Sequence, residues 1–255
     1  MKHNESEGPD AEPRSWLHGA TVHGKRPARS RDFLFLGGRK DQLMVVGREI
    51  RDEWSGSPAL QEPAVLRTFA NIAVDFLPLP DEDADTLGPA FNDGFRGIVE
   101  ETQAALQEEA GLPALALTMA HARGRYLYVG HVGDSRCYLA ANGELRRLTE
   151  DHTYAPQPPD RPLVSDPALS KKLSNVVGGF SDDLVIHTAQ IELPPASLVL
   201  LCTAGISRVL ADDDLRRLLS EHEGVSMERL CQAVLEASER TLDGADRTVA
   251  CAKFP

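Results

Sequence analysis

Four strand-length segments follow one another between residues 114 and 148: 114–121, 126–131, 135–140 and 145–148. The gaps between them are too short for a crossover helix, so sequential neighbours can pair only antiparallel. Asn142-Gly143 sits between the last two. Asn and Gly tolerate the positive φ that a two-residue hairpin turn requires, so this is the strongest short-range hairpin signal in the chain. An antiparallel β core is therefore the first constraint on the fold.

The flanking sequence extends it. Residues 32–36 and 42–46 are short apolar runs across Gly37-Gly38 and predict a hairpin. Residues 51–62 carry Gly, Ser and Pro and read as a loop. Apolar residues recur at helical spacing over 63–77, and Pro78 and Pro80 stop that helix. An acidic linker, 81–85, leads to a second helix over 89–109, with Phe91, Phe95, Ile98, Val99 and Leu106 on one face and Gly111 as its stop. Residues 151–170 are Pro-rich and irregular. Residues 173–177 precede Gly178-Gly179. Residues 184–191 alternate as an antiparallel strand does, and 198–203 read as a buried strand. Asp212-Asp213-Asp214 opens a helix to about residue 220, Ser226 caps another to about residue 241, and 249–254 close as a strand. This order predicts an α+β fold, an α-β-β-α sandwich of two antiparallel sheets flanked by helix pairs. No internal repeat is visible. Polar residues 1–14 are expected to be a disordered segment and 15–255 a single domain.

Composition narrows the function. A formal charge of −12 argues against a general nucleic-acid binder and against docking on an anionic membrane. No apolar run reaches the roughly 18–20 residues of a membrane span, and residues 1–7 have no signal-peptide core. Cys137, Cys202, Cys231 and Cys251 show no CxxC spacing and read as buried thiols of a cytoplasmic protein.

Residues 131–139, His-Val-Gly-Asp-Ser-Arg-Cys-Tyr-Leu, and 148–153, Leu-Thr-Glu-Asp-His-Thr, resemble the strand-turn-strand signature of the metal-dependent Ser/Thr protein phosphatases, PPM type or phosphatase 2C-like. The resemblance extends from about Thr21 to Phe254. Leu173-Ser174-Asn175-Val176-Val177-Gly178-Gly179 is similar to the family's Leu-x-x-x-Leu-Gly-Gly segment. Leu200 to Ile206 is similar to its Leu-x-Thr-Asp-Gly-Leu strand end, and Gly244 to Val249 to its Gly-x-Asp-Asn-x-Thr segment. The resemblance implies two Mg or Mn ions between the sheets and a metal-bridging water that attacks a phosphoserine or phosphothreonine. Such hard cations need carboxylate oxygens, and a pair of them can activate the water and clamp attacking and leaving oxygens.

By that resemblance Arg26 falls near the phosphate-binding Arg. Asp32 matches an aspartate that orients metal-bound water, Asp134 one associated with a third metal, and Asp246 a direct ligand. Two family metal positions are lost, because the bridging aspartate falls on Arg48 and another ligand on Ala204. Arg208 replaces a nearby acidic residue of some members, and Arg247 follows Asp246 where the family has Asn. A guanidinium about 4 Å from a unit positive charge is repelled by ~4 kcal/mol at an effective dielectric near 20, and a divalent ion feels about twice that. The expectation is that Arg48, with Arg208 or Arg247, neutralises Asp32, Asp134 and Asp246 in buried ion pairs, with no cofactor held. Each aspartate also has a purely structural reading, as a turn or strand-end residue. His152 reads as structural, and Asn92-Asp93-Gly94 as a helical imitation of the missing Asp-Gly motif. Asp52 or Glu53 could substitute for the lost bridging ligand.

Three functions remain open. One is a pseudophosphatase that binds a phosphoprotein or signalling partner. Another is a divergent but active Mg- or Mn-dependent phosphoserine/phosphothreonine hydrolase. The third is an anion sensor built on Arg26, Arg48 and Arg247.

Overall fold

The structure is a computed structural model. It describes residues 17–24, 30–37, 42–50, 69, 71–73, 84–108, 114–154, 173–178, 184–239 and 245–255. The expected disordered segment 1–14 and the loop 51–62 lie outside them.

Among the described residues, ten strands form two antiparallel sheets. One sheet orders β1 (Leu17–Val22), β10 (Arg247–Lys253), β9 (Leu198–Cys202), β6 (Arg136–Ala141) and β7 (Glu144–Arg147). The other orders β2 (Ser30–Gly37), β3 (Gln42–Ile50), β4 (Ala114–Arg123), β5 (Tyr126–Val132) and β8 (His187–Glu192). Helix α1 (Ala84–Glu108) covers the β4–β5 sheet. The short α2 (Ala204–Ser207), with α3 (Asp212–Glu221) and α4 (Met227–Ala237), lies on the β9–β10 side. The expected α-β-β-α sandwich is the observed fold.

Side-chain alternation explains the layering, since successive strand residues point to opposite faces. In β9, Val199 and Leu201 face the other sheet, where they pack with Met44, Val46, Leu127 and Val129. Leu200 and Cys202 face the helices and pack with Leu215, Leu230, Cys231 and Val234. On the far side Phe91, Phe95 and Ile98 of α1 pack on Leu117, Met119 and Tyr128. The Phe91 and Tyr128 ring centroids are 5.6 Å apart. All four cysteines are free and buried.

Asn142 and Gly143 form the β6–β7 turn with φ of 54° and 79°, as the hairpin signal predicts. Several boundaries differ from expectation. Helix α1 begins at Ala84, so Pro89 falls inside it. Leu87 is buried and extends the stripe of Phe91 and Phe95 one turn upstream, which outweighs the breaker. Strand β8 begins at His187 rather than Leu184, and 173–177 contributes only isolated bridges, Leu115 with Val177 and Thr153 with Leu173. Strand β1 gives no sequence signal, because none of its residues is fully buried and its apolar alternation is weak. Of the helix expected over 63–77, Phe69 and residues 71–73 are described, and they are helical.

The turn that carries Gly133-Asp134 joins β5 of one sheet to β6 of the other. Gly133 has φ of 110°, and a Cβ built there would lie 2.4 Å from the Ala116 Cβ. Gly133→Ala therefore combines left-handed strain with overpacking, and an expected loss of on the order of 2–3 kcal/mol follows. A urea denaturation midpoint checks it; an unchanged midpoint would mean that the turn relaxes freely.

Candidate functional site

Strand ends from both sheets converge at one edge of the sandwich. Asp32 on β2 pairs in register with Arg48 on β3, and Arg48 with Ala116 on β4. Asp134 follows β5. Thr203 and Ala204 follow β9, Arg208 follows α2, and Asp246 immediately precedes β10. The sequence builds this edge by ending apolar strands on polar residues at the same level. Thr203 N donates to Thr248 O at 3.0 Å, which fixes Ala204 beside Asp246. The approach is so close that a Cβ on Gly205 would lie 1.9 Å from the Asp246 carbonyl oxygen.

Asp134 is buried, with a side chain 3% exposed. Nη2 of Arg48 donates to its Oδ1 at 3.0 Å and to its Oδ2 at 2.8 Å, and Nη2 of Arg208 donates to Oδ2 at 2.9 Å. Of the two arginines named as alternatives, Arg208 is thus the one that joins Arg48. Arg247 departs from expectation. It turns toward the helices and donates from Nη1 to the Leu235 carbonyl at 2.8 Å. It meets one of the last carbonyls of α4, where a cation is favoured.

Asp246 is held by N–H donors. Its Oδ1 accepts from Gly24 N at 2.6 Å, its Oδ2 from Asp32 N at 3.1 Å, and His23 Nδ1 lies 3.3 Å from Oδ2. Asp32 accepts a hydrogen bond on Oδ2 from the Thr203 hydroxyl, whose oxygen accepts from Thr248 N at 3.1 Å. Asp32 Oδ1 is buried with no partner among the described residues. Burial pushes the Asp32 carboxyl up to about 7, against the opposing pull of Thr203 and of Arg48.

His152 serves the turn rather than a substrate. Its Nδ1 accepts from Gly133 N at 3.1 Å and from Asn175 Nδ2 at 2.7 Å. Nδ1 therefore carries no proton, and burial lowers the imidazole's pKa. His131 bridges Thr118 Oγ1 at 2.8 Å and the Glu150 carbonyl at 3.0 Å, and burial, then His152, lowers it to about 3. Arg136 grips Asp151 with two bonds of 2.8 and 2.7 Å, so both halves of the sequence signature are tied together beneath Asp134. Asn92 and Asp93 are exposed on α1 and take no part. Arg26, Asp52 and Glu53 lie outside the described residues. Sequence reading gave Thr203 and Asn175 no role, although both stand inside the motifs it singled out.

The family chemistry calls for two divalent cations, and the donors among the described residues do not fit them. Ala204 offers no donor. Arg48 puts a guanidinium against Asp134, and both Asp246 oxygens already accept N–H bonds. Hard cations require several free oxygens. Among the described residues, no three His, Cys, Asp or Glu side chains are grouped so as to hold an ion.

Comparison with known proteins agrees with the fold and the signature. The family model of protein phosphatase 2C matches residues 65–157. A Streptococcus agalactiae serine/threonine phosphatase superposes with a TM-score of 0.76 over 94% of this chain and 99% of its own, at 16% identity. The chain thus shares its fold with serine/threonine phosphatases, and its residues 65–157 are similar to protein phosphatase 2C. Its likeness to the probable protein phosphatase 2C 19 of Oryza sativa is 32% identity over 130 residues, 51% of this chain and 16% of that protein. For the serine/threonine phosphatase stp of Listeria welshimeri it is 26%, over 38% of this chain and 40% of that protein. The chain thus matches less than half the length of each of these relatives. The catalytic domain of PstP solved in complex with two manganese ions shares the fold, with a TM-score of 0.67 at 18% identity over 94% of this chain and 98% of that one.

The two perturbed groups have opposite pH signatures. Unfolded, His131 takes up a proton near 6.5; folded, it resists until about 3. Its contribution is present above 6.5 and is lost as pH falls toward about 3. Asp32 stays protonated in the fold up to about 7, whereas the unfolded chain ionises near 3.8. Its contribution is full below 3.8 and is lost as pH rises through about 7. Asp32→Asn keeps an acceptor for Thr203 and removes that loss. The variant should gain on wild type by on the order of 4 kcal/mol between about pH 4 and about pH 8. Urea midpoints at the two pH values measure it, and a gain that does not grow with pH would place an ionised Asp32 in the fold.

Proposed function

We propose that this protein phosphatase 2C-type chain is a pseudophosphatase: it keeps the family's sandwich, does not hydrolyse phosphate esters with Mg or Mn, and acts by binding a phosphoprotein or signalling partner in the cytoplasm. The observation that carries this reading is the clamp of Arg48 and Arg208 on Asp134, together with Ala204 at a ligand position. A guanidinium in contact with the carboxylate repels a divalent ion and occupies the oxygens that would bind it. The retained Asp32 and Asp246 are engaged with Thr203 and with backbone N–H groups, so they act here as structural acceptors.

The surroundings support a protein partner over other classes. The formal charge of −12 disfavours nucleic acid and anionic lipid. No helix among the described residues is long and apolar enough to cross a membrane.

Hydrolysis of p-nitrophenyl phosphate and of a phosphothreonine peptide in millimolar Mn tests the proposal against a chelated control and an Asp246→Ala variant. The expected result is no turnover above the chelated control. Metal-dependent turnover that disappears in Asp246→Ala would establish the alternative, a divergent but active Mg/Mn-dependent phosphoserine/phosphothreonine hydrolase.

A further inference from the structure

We propose that Arg48 and Arg208 are built-in counter-cations that occupy the place of a divalent ion, so that the cleft is complete without metal and closed to it. The inference rests on the pseudophosphatase reading for its starting point and goes on to what holds the cleft together. Three acidic side chains, Asp32, Asp134 and Asp246, are buried at this edge, at 5%, 2% and 4% exposure. They differ in what satisfies them. Asp246 is held by backbone N–H groups and Asp32 by a hydroxyl. The partners of Asp134 among the described residues are the two guanidiniums. The need for a cation is therefore confined to Asp134, and two guanidiniums together carry the charge of one divalent ion.

Their origins matter as much as their charge. Arg48 comes from β3 in one sheet, whereas Arg208 comes from the turn after β9 and α2 in the other. Asp134 sits in the turn between β5 of the first sheet and β6 of the second. The cluster thus fastens the two sheets together at the site edge, as an ion coordinated from both sides would. Unlike an ion, a covalently attached guanidinium cannot be chelated or diluted away. It also remains protonated at every physiological pH. Arg48 is the more enclosed, with a side chain 15% exposed against 31% for Arg208, so Arg48 should matter more.

Thermal unfolding of the full chain in EDTA and in millimolar Mn tests the proposal, with wild type, Arg48→Gln, Arg208→Gln, the double variant, and the double variant carrying Asp134→Asn. Wild type should melt at the same temperature in both solutions. Arg48→Gln should lose more than Arg208→Gln. The double variant should fall by about 5 °C or more in EDTA and recover part of that in Mn. Adding Asp134→Asn should restore the melting temperature in EDTA and remove the response to Mn. A wild type stabilised by Mn, or a double variant as stable in EDTA as wild type, would overturn the proposal. So would a double variant indifferent to Mn, since the arginines would then be a simple ion pair. Should the double variant not fold, the triple variant decides: folding supports the proposal and failure overturns it. The outcomes separate the two proposals. An inactive wild type that Mn stabilises refutes the counter-cations and leaves the pseudophosphatase. Metal-dependent turnover overturns both, since a cleft that uses Mn is not closed to it.

Discussion

A carboxylate taken out of water between two sheets must meet a positive charge or lose its own. Asp134 is in that position. Its place is fixed from below, because Gly133 allows the turn, His152 accepts the Gly133 N–H, and Asn175 holds His152. With Asp134 fixed and buried, something cationic has to stand where Arg48 and Arg208 now are. Replacing such a pair by apolar groups is often neutral, whereas removing one side leaves an uncompensated charge at a cost of about 3–5 kcal/mol. The cluster is therefore better understood as a constraint satisfied than as a large net source of stability.

On the proposal above, the same fold carries two electrostatic solutions. One solved structure of the same fold, the catalytic domain of PstP, is described in complex with two manganese ions. This chain keeps the strand ends and the turn, while the charge at its centre is supplied by its own side chains. Thr203 also works inward: its hydroxyl donates to Asp32 Oδ2 and its oxygen accepts from Thr248 N.

The fold was legible wherever the local pattern and the tertiary demand coincided. The hairpin at Asn142-Gly143, the apolar runs of β4, β5 and β9 and the Ser226 cap all do so. Strand β1 was invisible, because an edge strand with partly exposed residues has no strong period. The start of α1 was misplaced because Pro89 looks like a boundary, and only the burial of Leu87 shows otherwise. At the site, the expectation that Arg48 would meet a buried aspartate is met at Asp134. Which arginine would accompany Arg48 was not legible. Arg247 adjoins Asp246 in sequence, yet strand alternation turns it toward α4, whereas Arg208 reaches back from the end of a short helix. Direction of that kind is a three-dimensional fact.

The pairing of β1 with β10 sets an order of events during synthesis. Residues 17–22 emerge early, yet their hydrogen-bonding partner is residues 247–253. Strand β10 also separates β1 from β9, so the sheet cannot admit β1 until that late segment has left the ribosome. The other sheet faces no such delay over β2, β3 and β4, whose neighbours are all in place by residue 132. One layer can thus form during translation while the other waits, its apolar face exposed. During that interval the growing chain is most open to chaperones and to aggregation.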